Sequence, residues 1–555
     1  MVALSMADGC ARVTGKPQCV IVHVDVGTQG LAAAMHNASC GRVPVLIFAG
    51  LSPFTLEGEM RGSRTEFIHW LQDVPDQKQI VAQYCRYTAE IKTGKNIKQL
   101  VNRALQWATS DPKGPVYLVG AREIMEEEIE PYKLDQKLWV PISPTALTSE
   151  AVQMIASELV AACEPLAIVG YGGRVASSVR ELVALADLIS GLRVLDTAGS
   201  DMSFPADHPG WLGSRFGVHD AIKTADFILV LDCDVPWIPT LCKPSACAKI
   251  VHIDVDPLKR QIPTFYISSM ATFKADSTTA LKQLRESISS NTEFMRILAS
   301  DGFAQRRTRL EDEHRQTLQS IADLAVVPSG GADAHFDVSY LIFQVREACP
   351  RDTIWAIEAV TLTPFVADQL ALTLPNSWVN CGGGGLGWSG GGALGIKLAT
   401  DAEHGGKGKG KFVCQIVGDG SFLFSVPGSV YWISRRYNIP VLTIILNNKG
   451  WNAPRRSMLL VHPDGEGSRA TNEELNISFV PTPDFAGIAK ASAGGELWAG
   501  RASTVAELAD RLPAAVDSVI HGTTAVLEAQ LDGADGKFVE NERKETPVDD
   551  NLVFV

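Results

Sequence analysis

Residues 413–448 read VCQIVGDGSFLFSVPGSVYWISRRYNIPVLTIILNN and carry the clearest evidence for the class of fold. Its two apolar runs, 413–417 and 441–446, have the length and character of buried parallel strands. The 26 residues between Gly420 and Asn447 are ample for a crossover helix. A right-handed crossover brings the turns after both strands to the same carboxyl edge of one sheet, where open α/β sheets bind ligands.

These two turns carry residue types suited to a metal and a diphosphate. Asp419 stands between Gly418 and Gly420, and the glycines allow a phosphate to approach the backbone closely. A carboxylate, an amide oxygen from the pair Asn447-Asn448 and a main-chain carbonyl can supply half of an octahedral Mg²⁺ shell. The structural alternative is a tight turn beside an Asn-rich turn, and either half alone would be a weak signal. Because both halves follow predicted strands, the functional interpretation is favoured.

Short apolar strands alternate with helices along the whole chain of 555 residues. This alternation predicts an α/β fold of mostly parallel sheets flanked by helices. The stretch 19–49 repeats the strand–turn–helix–strand pattern of 412–448, which predicts that the first and third domains share one kind of sheet. The predicted organisation is three domains followed by a tail without periodicity, with boundaries at 1–130, 145–328, 336–532 and 533–555.

Composition excludes several classes of protein. The apolar fraction is 46%, but the longest apolar runs are strand-sized, whereas a membrane span needs about 20 apolar residues. The formal net charge of −13 argues against a nucleic-acid or anionic-membrane partner. The 11 cysteines include no CxxC pair, and residues 1–16 lack the features of a signal peptide. A cytoplasmic, reduced protein without structural zinc or disulfides is therefore predicted.

The motif resembles that of the thiamine diphosphate enzymes, the family of acetolactate synthase, pyruvate decarboxylase and benzoylformate decarboxylase, over nearly the whole chain. The resemblance implies a pyrimidine-binding first domain, a Rossmann-like middle domain and a third domain that binds diphosphate and Mg²⁺. It implies Asp419, Asn448 and the Gly450 carbonyl as metal ligands. Residues 384–388 are similar to the stretch that holds the cofactor bent, with Leu386 as the apolar wedge between its two rings. The implied cofactor-binding residues are Gly27, Leu386, Gly387, Gly418, Asp419, Gly420, Ser421 and Asn448.

His23 is the candidate catalytic residue. It closes the predicted strand before Gly27, and the benzoylformate decarboxylase-like branch resembles this sequence there, with a catalytic histidine. A structural turn histidine is the alternative. One departure concerns the family's glutamate, which protonates the aminopyrimidine ring, because its matching position falls immediately before Met1. We therefore expect the first domain to lack an upstream strand–helix unit that ends in this glutamate.

The resemblance implies a 2-oxo acid decarboxylase or carboligase that works as a homodimer or homotetramer, with each active site between the first domain of one subunit and the third domain of another. A catalytically silent, truncated paralogue is one alternative. A flavin- or nicotinamide-dependent oxidoreductase built on residues 170–173 is another, although Val175 replaces the third glycine of that fingerprint and a structural middle domain is favoured over bound FAD. Trp388 and Trp451 suggest a pocket for a bulky acyl group, which His69 could help to line, and Trp70 is predicted to pack in the core.

Overall fold

The computed structural model describes residues 1–197, 201–264 and 267–531, and the predicted tail at 533–555 lies outside them. The described residues form three α/β units, each built on a sheet whose strand pairs are all parallel. The predicted fold class is therefore confirmed. Within these residues, every helix is too short or too polar to span a bilayer.

The first unit contains a four-stranded sheet of order β1-β2-β4-β3 within the described residues. Strand β1 lies at its edge, and Ile21 on this strand is 75% exposed. The elements are α1 (Val2–Thr14), β1 (Gln18–Val22), α2 (Val26–Gln29), α3 (Ala32–Cys40), β2 (Val45–Leu51), α4 (Ile68–Leu71), β3 (Tyr87–Ile91), α5 (Ile97–Thr109), β4 (Val116–Ala121) and α6 (Arg122–Met125).

The middle unit contains a sheet of order β10-β9-β8-β5-β6-β7. Apolar residues of its central strands are buried in two clusters. Its elements are α7 (Ser149–Ala161), β5 (Pro165–Val169), α8 (Ala176–Leu188), β6 (Arg193–Asp196), β7 (Trp211–Ser214), α9 (Asp220–Thr224), β8 (Phe227–Leu231), β9 (Lys249–Asp254), β10 (Ala271–Lys274), α10 (Ser277–Ser290), α11 (Thr292–Leu298) and α12 (Asp301–Asp323).

The third unit contains a sheet of order β12-β11-β13-β14-β16-β15, with a large apolar cluster on each face. Its elements are α13 (Val338–Ala348), β11 (Ile354–Glu358), α14 (Thr363–Leu370), β12 (Trp378–Asn380), α15 (Trp388–Glu403), β13 (Val413–Gly418), α16 (Asp419–Phe424), α17 (Pro427–Tyr437), β14 (Leu442–Asn447), α18 (Asn452–Val461), α19 (Glu466–Arg469), α20 (Phe485–Ser492), β15 (Trp498–Ala502), α21 (Val505–Ile520) and β16 (Ala525–Gln530).

The predicted kinship of the first and third sheets is confirmed by their topology. The order β1-β2-β4-β3 is matched by β13-β14-β16-β15, and β11 and β12 extend only the third sheet. The two units also pack directly on each other through α1 and α15. The helices approach closely because glycines face backbone there, and a Cβ on Gly9 would lie 2.3 Å from the Gly392 carbonyl oxygen. Packing of α1 thus joins the first unit to the third unit, which carries Gly418-Asp419-Gly420, the GDG motif.

Candidate active site

Asp419 is a buried acid at the carboxyl edge of the third sheet. It follows β13 directly, and only 3% of its surface is exposed. Its Oδ1 accepts a hydrogen bond from the Gly420 amide at 2.7 Å, and its Oδ2 accepts one from the Gly450 amide at 3.2 Å. Burial raises the pKa of this carboxyl to about 7, although these amide donors oppose the shift. A cation beside Asp419 would therefore stabilise its charged form.

The side-chain amide of Asn448 faces this carboxylate. With its NH₂ group toward Asp419, the Asn448 nitrogen lies 3.2 and 3.3 Å from the two carboxylate oxygens and 3.1 Å from the Gly450 carbonyl oxygen. In the opposite orientation the amide oxygen takes this place among acceptors. Three kinds of oxygen then converge at spacings close to the ~3.0 Å expected between neighbouring ligands of octahedral Mg²⁺ with Mg–O distances of about 2.1 Å. The residues present therefore fit a divalent cation.

This oxygen set differs from a conventional cluster of charged ligands. Among the described residues, no group of three or more His, Cys, Asp and Glu side chains could hold a metal ion. The set around Asp419 combines one carboxylate with two neutral oxygens, which leaves part of an octahedral shell for phosphate oxygens and water. The arrangement is thus suited to a cation that is bound together with an anionic cofactor.

The ring of Trp451 shapes the turn that contains Asp419. A Cβ on Gly420 would lie 2.1 Å from this ring, so glycine is required by packing. The ring also packs edge-on against Phe424 and Phe479, with centroid distances of 5.6 and 4.9 Å. Trp451 therefore lies at the GDG turn as the sequence indicated, and its contact with a substrate stays a prediction.

The loop that carries Leu386 is held from two sides. Asn37 of the first unit donates to the Gly385 carbonyl at 2.6 Å and accepts from the Gly385 amide at 3.0 Å. From the third sheet, the Glu358 carboxylate accepts from the amides of Gly387 at 2.6 Å and Ser389 at 2.8 Å. These contacts fix the half-buried Leu386 between two domains.

Sequence reasoning missed Glu358, which is fully buried and whose pKa is raised to about 7 by that burial. The available signal was an acid immediately after the apolar run 354–357, at the same sheet edge as Asp419. It was overlooked because a single acid at a strand end is weak evidence without knowledge of which strands are neighbours.

His23 and Gly27 lie at the carboxyl edge of the first sheet. Strand β1 ends at Val22, so His23 follows the strand instead of closing it, and its side chain is exposed. Gly27 lies within the short helix α2 and not in an open turn. Among the described residues, no hydrogen bond or ion pair joins either residue to the turn at Asp419. The structure therefore brings together Asp419, Asn448 and Gly450, but not the two first-domain candidates.

Asp25 is a further residue of this edge that the sequence did not reveal. Its backbone is in the left-handed region, with φ of +43°, and its side chain accepts a hydrogen bond from Gln29 at 2.8 Å. Its amide donates to Gln77 Oε1 at 2.8 Å, and the Gln77 amide donates in turn to Tyr117 at 2.9 Å. A strained and buried polar network therefore lies beside His23.

Two predictions about tryptophan residues need correction, and one about a histidine stays a prediction. Trp388 is fully buried under Arg12, whose guanidinium lies 5.4 Å from the ring centroid, so it packs between the units and does not line a pocket. Trp70 is 50% exposed and does not pack in the core. His69 is buried, and its Nδ1 accepts from the Thr65 amide at 3.2 Å, so its contact with a substrate stays a prediction.

The glycine run of the middle unit is explained by packing. A Cβ on Gly170 would lie 2.7 Å from the Asp232 carbonyl oxygen, and one on Gly173 would lie 2.2 Å from the Met202 carbonyl oxygen. The adjacent Tyr171 donates to Asp234 at 2.6 Å. These residues contact protein where a dinucleotide fingerprint would contact pyrophosphate, so the flavin or nicotinamide alternative is not favoured.

Arg42 of the first unit fills the space beside this run. Its guanidinium lies 4.3 Å from the Tyr171 ring centroid and pairs with Asp234 at 2.8 Å and Asp254 at 3.2 Å. Lys259 pairs with the same two acids. The carboxyl edge of the middle sheet is therefore an interdomain contact built from ion pairs.

Comparisons with known proteins agree with this architecture. Three family models described as the N-terminal TPP binding, central and C-terminal TPP binding domains of thiamine pyrophosphate enzymes match residues 1–80, 152–284 and 359–529. They follow one another in the family's order and together cover most of the chain. The protein belongs to the thiamine pyrophosphate, or thiamine diphosphate, enzyme family.

Relatives within the family are distant. The chain is 23% identical to the acetolactate synthase isozyme 3 large subunit of Escherichia coli over 557 residues, which cover 96% of this chain and 87% of that protein. It is 23% identical to benzoylformate decarboxylase of Pseudomonas aeruginosa over 500 residues, which cover 88% of this chain and 83% of that protein. The solved thiamine diphosphate-dependent 4-hydroxybenzoylformate decarboxylase of Rhodococcus jostii RHA1 superposes with a TM-score of 0.72 at 20% identity, covering 95% of this chain and 90% of that chain. This structural likeness concerns the fold.

Proposed function

We propose that this enzyme binds thiamine diphosphate together with Mg²⁺ and makes or breaks a C–C bond next to the carbonyl of a 2-oxo acid. The observation that carries the proposal is the convergence of oxygens from Asp419, Asn448 and Gly450 at the carboxyl edge of the third sheet. When bound, the cofactor supplies an electron sink for the carbanion formed as CO₂ leaves. Similarity to acetolactate synthase and benzoylformate decarboxylase supports the same class of reaction.

Each site residue has a role in this proposal. Asp419, Asn448 and the Gly450 carbonyl hold Mg²⁺, and Leu386 separates the two cofactor rings. Gly387 has a φ of +98°, which lets the loop enter α15 directly behind Leu386. The other residues that surround the cofactor are Gly27, Gly418, Gly420 and Ser421.

His23 is the proposed acid–base residue. Its exposed imidazole, free of hydrogen bonds to the described residues, can move a proton to or from the oxygen of the reacting carbonyl. Protonation of the acyl carbon gives an aldehyde. Transfer of the acyl unit to a second carbonyl compound gives a 2-hydroxy ketone. Decarboxylase and carboligase activities are therefore two outcomes of one proposed first half-reaction.

We propose a homodimer or homotetramer in which the first-unit edge of one subunit faces the third-unit edge of another. Large apolar side chains are exposed near both edges, including Phe54 and Phe67 in the first unit and Phe424 and Val426 in the third. Burial of these side chains in an interface would favour the proposed association. A cytoplasmic location is also proposed, since all eleven cysteines are free thiols.

The decisive experiment is CO₂ release from a panel of aliphatic, aromatic and cationic 2-oxo acids. We expect release to require both thiamine diphosphate and Mg²⁺ and to disappear in Asp419→Ala. Activity that persists after complete removal of Mg²⁺ and cofactor would overturn the proposal. Calorimetric binding of the cofactor without turnover of any acid would favour the silent-paralogue alternative instead.

A further inference from the structure

We propose that Glu528, supported by Arg501, is a positioning residue for the turn 448–450, which carries the proposed metal ligands. It acts on this turn through Asn447. This inference rests on the proposed function, because Mg²⁺ is the cation that the turn would serve. In the described part of the chain, no hydrogen bond or ion pair joins Glu528 to Asp419 or Asn448. It fixes the backbone from which Asn448 and Gly450 present their oxygens.

The carboxylate of Glu528 lies in the interior of the third sheet. Its residue is fully buried within β16, and Arg501 stands directly opposite it on β15. Oε2 accepts from Arg501 Nη2 at 3.1 Å, and Oε1 accepts from Asn447 Nδ2 at 2.8 Å. A buried carboxylate is costly unless it is paired and hydrogen-bonded. Glu528 satisfies this requirement by linking three neighbouring strands, β14, β16 and β15.

Asn447 connects the Glu528 carboxylate to the turn, and we call these contacts of Asn447 and Glu528 the anchor. Because its Nδ2 points at Glu528, its Oδ1 is directed to the Lys449 amide, which donates to it at 3.1 Å. Its own carbonyl accepts from the Leu531 amide at 3.0 Å. The amide orientation of Asn447 is therefore set by the carboxylate on the neighbouring strand.

The turn needs such an anchor because its backbone is unfavourable by itself. Lys449 has a φ of +64° and Gly450 has a φ of +155°, and a Cβ on Gly450 would lie 2.2 Å from the Ile477 carbonyl oxygen. This path directs the Gly450 amide to Asp419 and the Gly450 carbonyl toward Asn448. Mg²⁺ tolerates little departure from octahedral geometry, so a loosened turn should weaken its binding.

A reciprocal pair of substitutions tests this inference. Asn447→Asp places a second carboxylate against Glu528, and like charges at this distance should displace the turn. In the double variant Asn447→Asp/Glu528→Gln, the introduced amide can donate to the introduced carboxylate, and its oxygen can accept from Arg501. The hydrogen bond between positions 447 and 528 is thereby restored with its direction reversed, while Arg501 and the Lys449 amide remain donors.

The measurement is the Mg²⁺ concentration that half-saturates thiamine diphosphate binding, followed by calorimetry and by Trp fluorescence at fixed cofactor. We expect Asn447→Asp to raise this concentration by about 10- to 100-fold, the usual effect of an outer-shell partner. The double variant should return to within a few-fold of wild type. Glu507→Gln is the matched control, since Glu507 accepts from the Ser503 amide at 2.8 Å and, among the described residues, makes no hydrogen bond to the turn.

Melting temperatures without Mg²⁺ separate positioning from stability. If the double variant regains its melting temperature but its Mg²⁺ requirement stays that of Asn447→Asp, or if Asn447→Asp binds Mg²⁺ normally, the inference is wrong. Should Asn447→Asp not fold, Glu528→Gln alone supplies the test. The NH₂ group of its side chain must then meet a donor on Asn447 or Arg501. Unchanged Mg²⁺ binding in this variant would overturn the inference. Failure of wild type to bind Mg²⁺ and cofactor would instead reject the proposed function, and this inference with it.

Discussion

The first and third sheets share the strand order of β1-β2-β4-β3 and β13-β14-β16-β15, yet their carboxyl edges differ. In the third sheet, β11 flanks β13, and the acids at their carboxyl ends are buried: Glu358 is the last residue of β11, and Asp419 follows β13. In the described first sheet, β1 is the edge strand, and the side chains of Ile21 and His23 are exposed. Equivalent strand–turn–helix units thus produce a closed acidic site in one sheet and an open edge in the other, depending on the neighbour of the first strand.

The largest effect is expected at the closed edge. Asp419→Ala should abolish Mg²⁺-dependent binding of thiamine diphosphate while the fold persists, because the carboxylate faces the proposed cation and not an apolar core. A ligand at a hundredfold excess over its Kd stabilises a fold by about 2.7 kcal/mol. Wild type should therefore melt several degrees higher with cofactor and Mg²⁺, as should a variant of the exposed Asp510. An equal rise in the melting temperature of Asp419→Ala would show that Asp419 is not part of the site.

The next effect belongs to the open edge. His23→Ala should lower kcat by about 10²- to 10⁴-fold, the usual cost of losing an acid–base group. Cofactor affinity should barely change, since His23 would face the substrate and not the diphosphate. Steady-state kinetics on the best 2-oxo acid, combined with cofactor titration, checks both statements. Near-normal turnover would make His23 a structural turn residue and confine the chemistry to the closed edge.

A third prediction concerns the pH dependence of stability at the closed edge. Burial raises the pKa of Glu358 to about 7, above its unfolded value, so the folded state holds this proton more tightly. The protonated side chain therefore contributes about 3 kcal/mol to the free energy of unfolding below about pH 4.5. This contribution is lost as the pH rises through 7. Glu358→Gln should flatten this part of the pH profile without cofactor. Denaturant unfolding between pH 5 and 8 measures the slope, and an unchanged slope would contradict the assignment.

The smallest effect is expected where the two units meet. Leu386→Ala should weaken cofactor binding by about tenfold, because it removes a few buried methyl and methylene contacts and no charge. The loop itself should stay in place, since Asn37 and Glu358 hold it through the backbone. Calorimetry of cofactor binding at saturating Mg²⁺ checks this value. Unchanged affinity would show that Leu386 does not contact the cofactor rings.

The turn Gly418-Asp419-Gly420 and the pair Asn447-Asn448 could be located from sequence because both follow strands that are apolar along their whole length. Such strands indicate parallel sheets, and the spacing between the motifs is ample for a crossover helix within one sheet. That argument places Asp419 beside the pair Asn447-Asn448, and the family resemblance selects Asn448. The structure brings the polar atoms of Asp419 and Asn448 within 3.3 Å of each other. The repeated pattern in the first and third units was recoverable for the same local reason.

The remaining features depended on which elements become neighbours. Glu358 and Glu528 are single acids at strand positions, and only the strand order reveals that one caps the Leu386 loop and the other orients Asn447. The burial of Trp388 under Arg12 required knowledge that α1 packs on α15.

The α/β class and the three-domain order could be inferred from periodicity, and the family from the resemblance of motifs a few residues long. Which acids are buried, which side chains of the first sheet are exposed and how the Leu386 loop is held could be learned only from the folded chain. Burial, charge pairing and pKa depend on contacts between residues far apart in the chain. Helix and strand periodicity records only which face of an element is apolar, and leaves its neighbours unspecified.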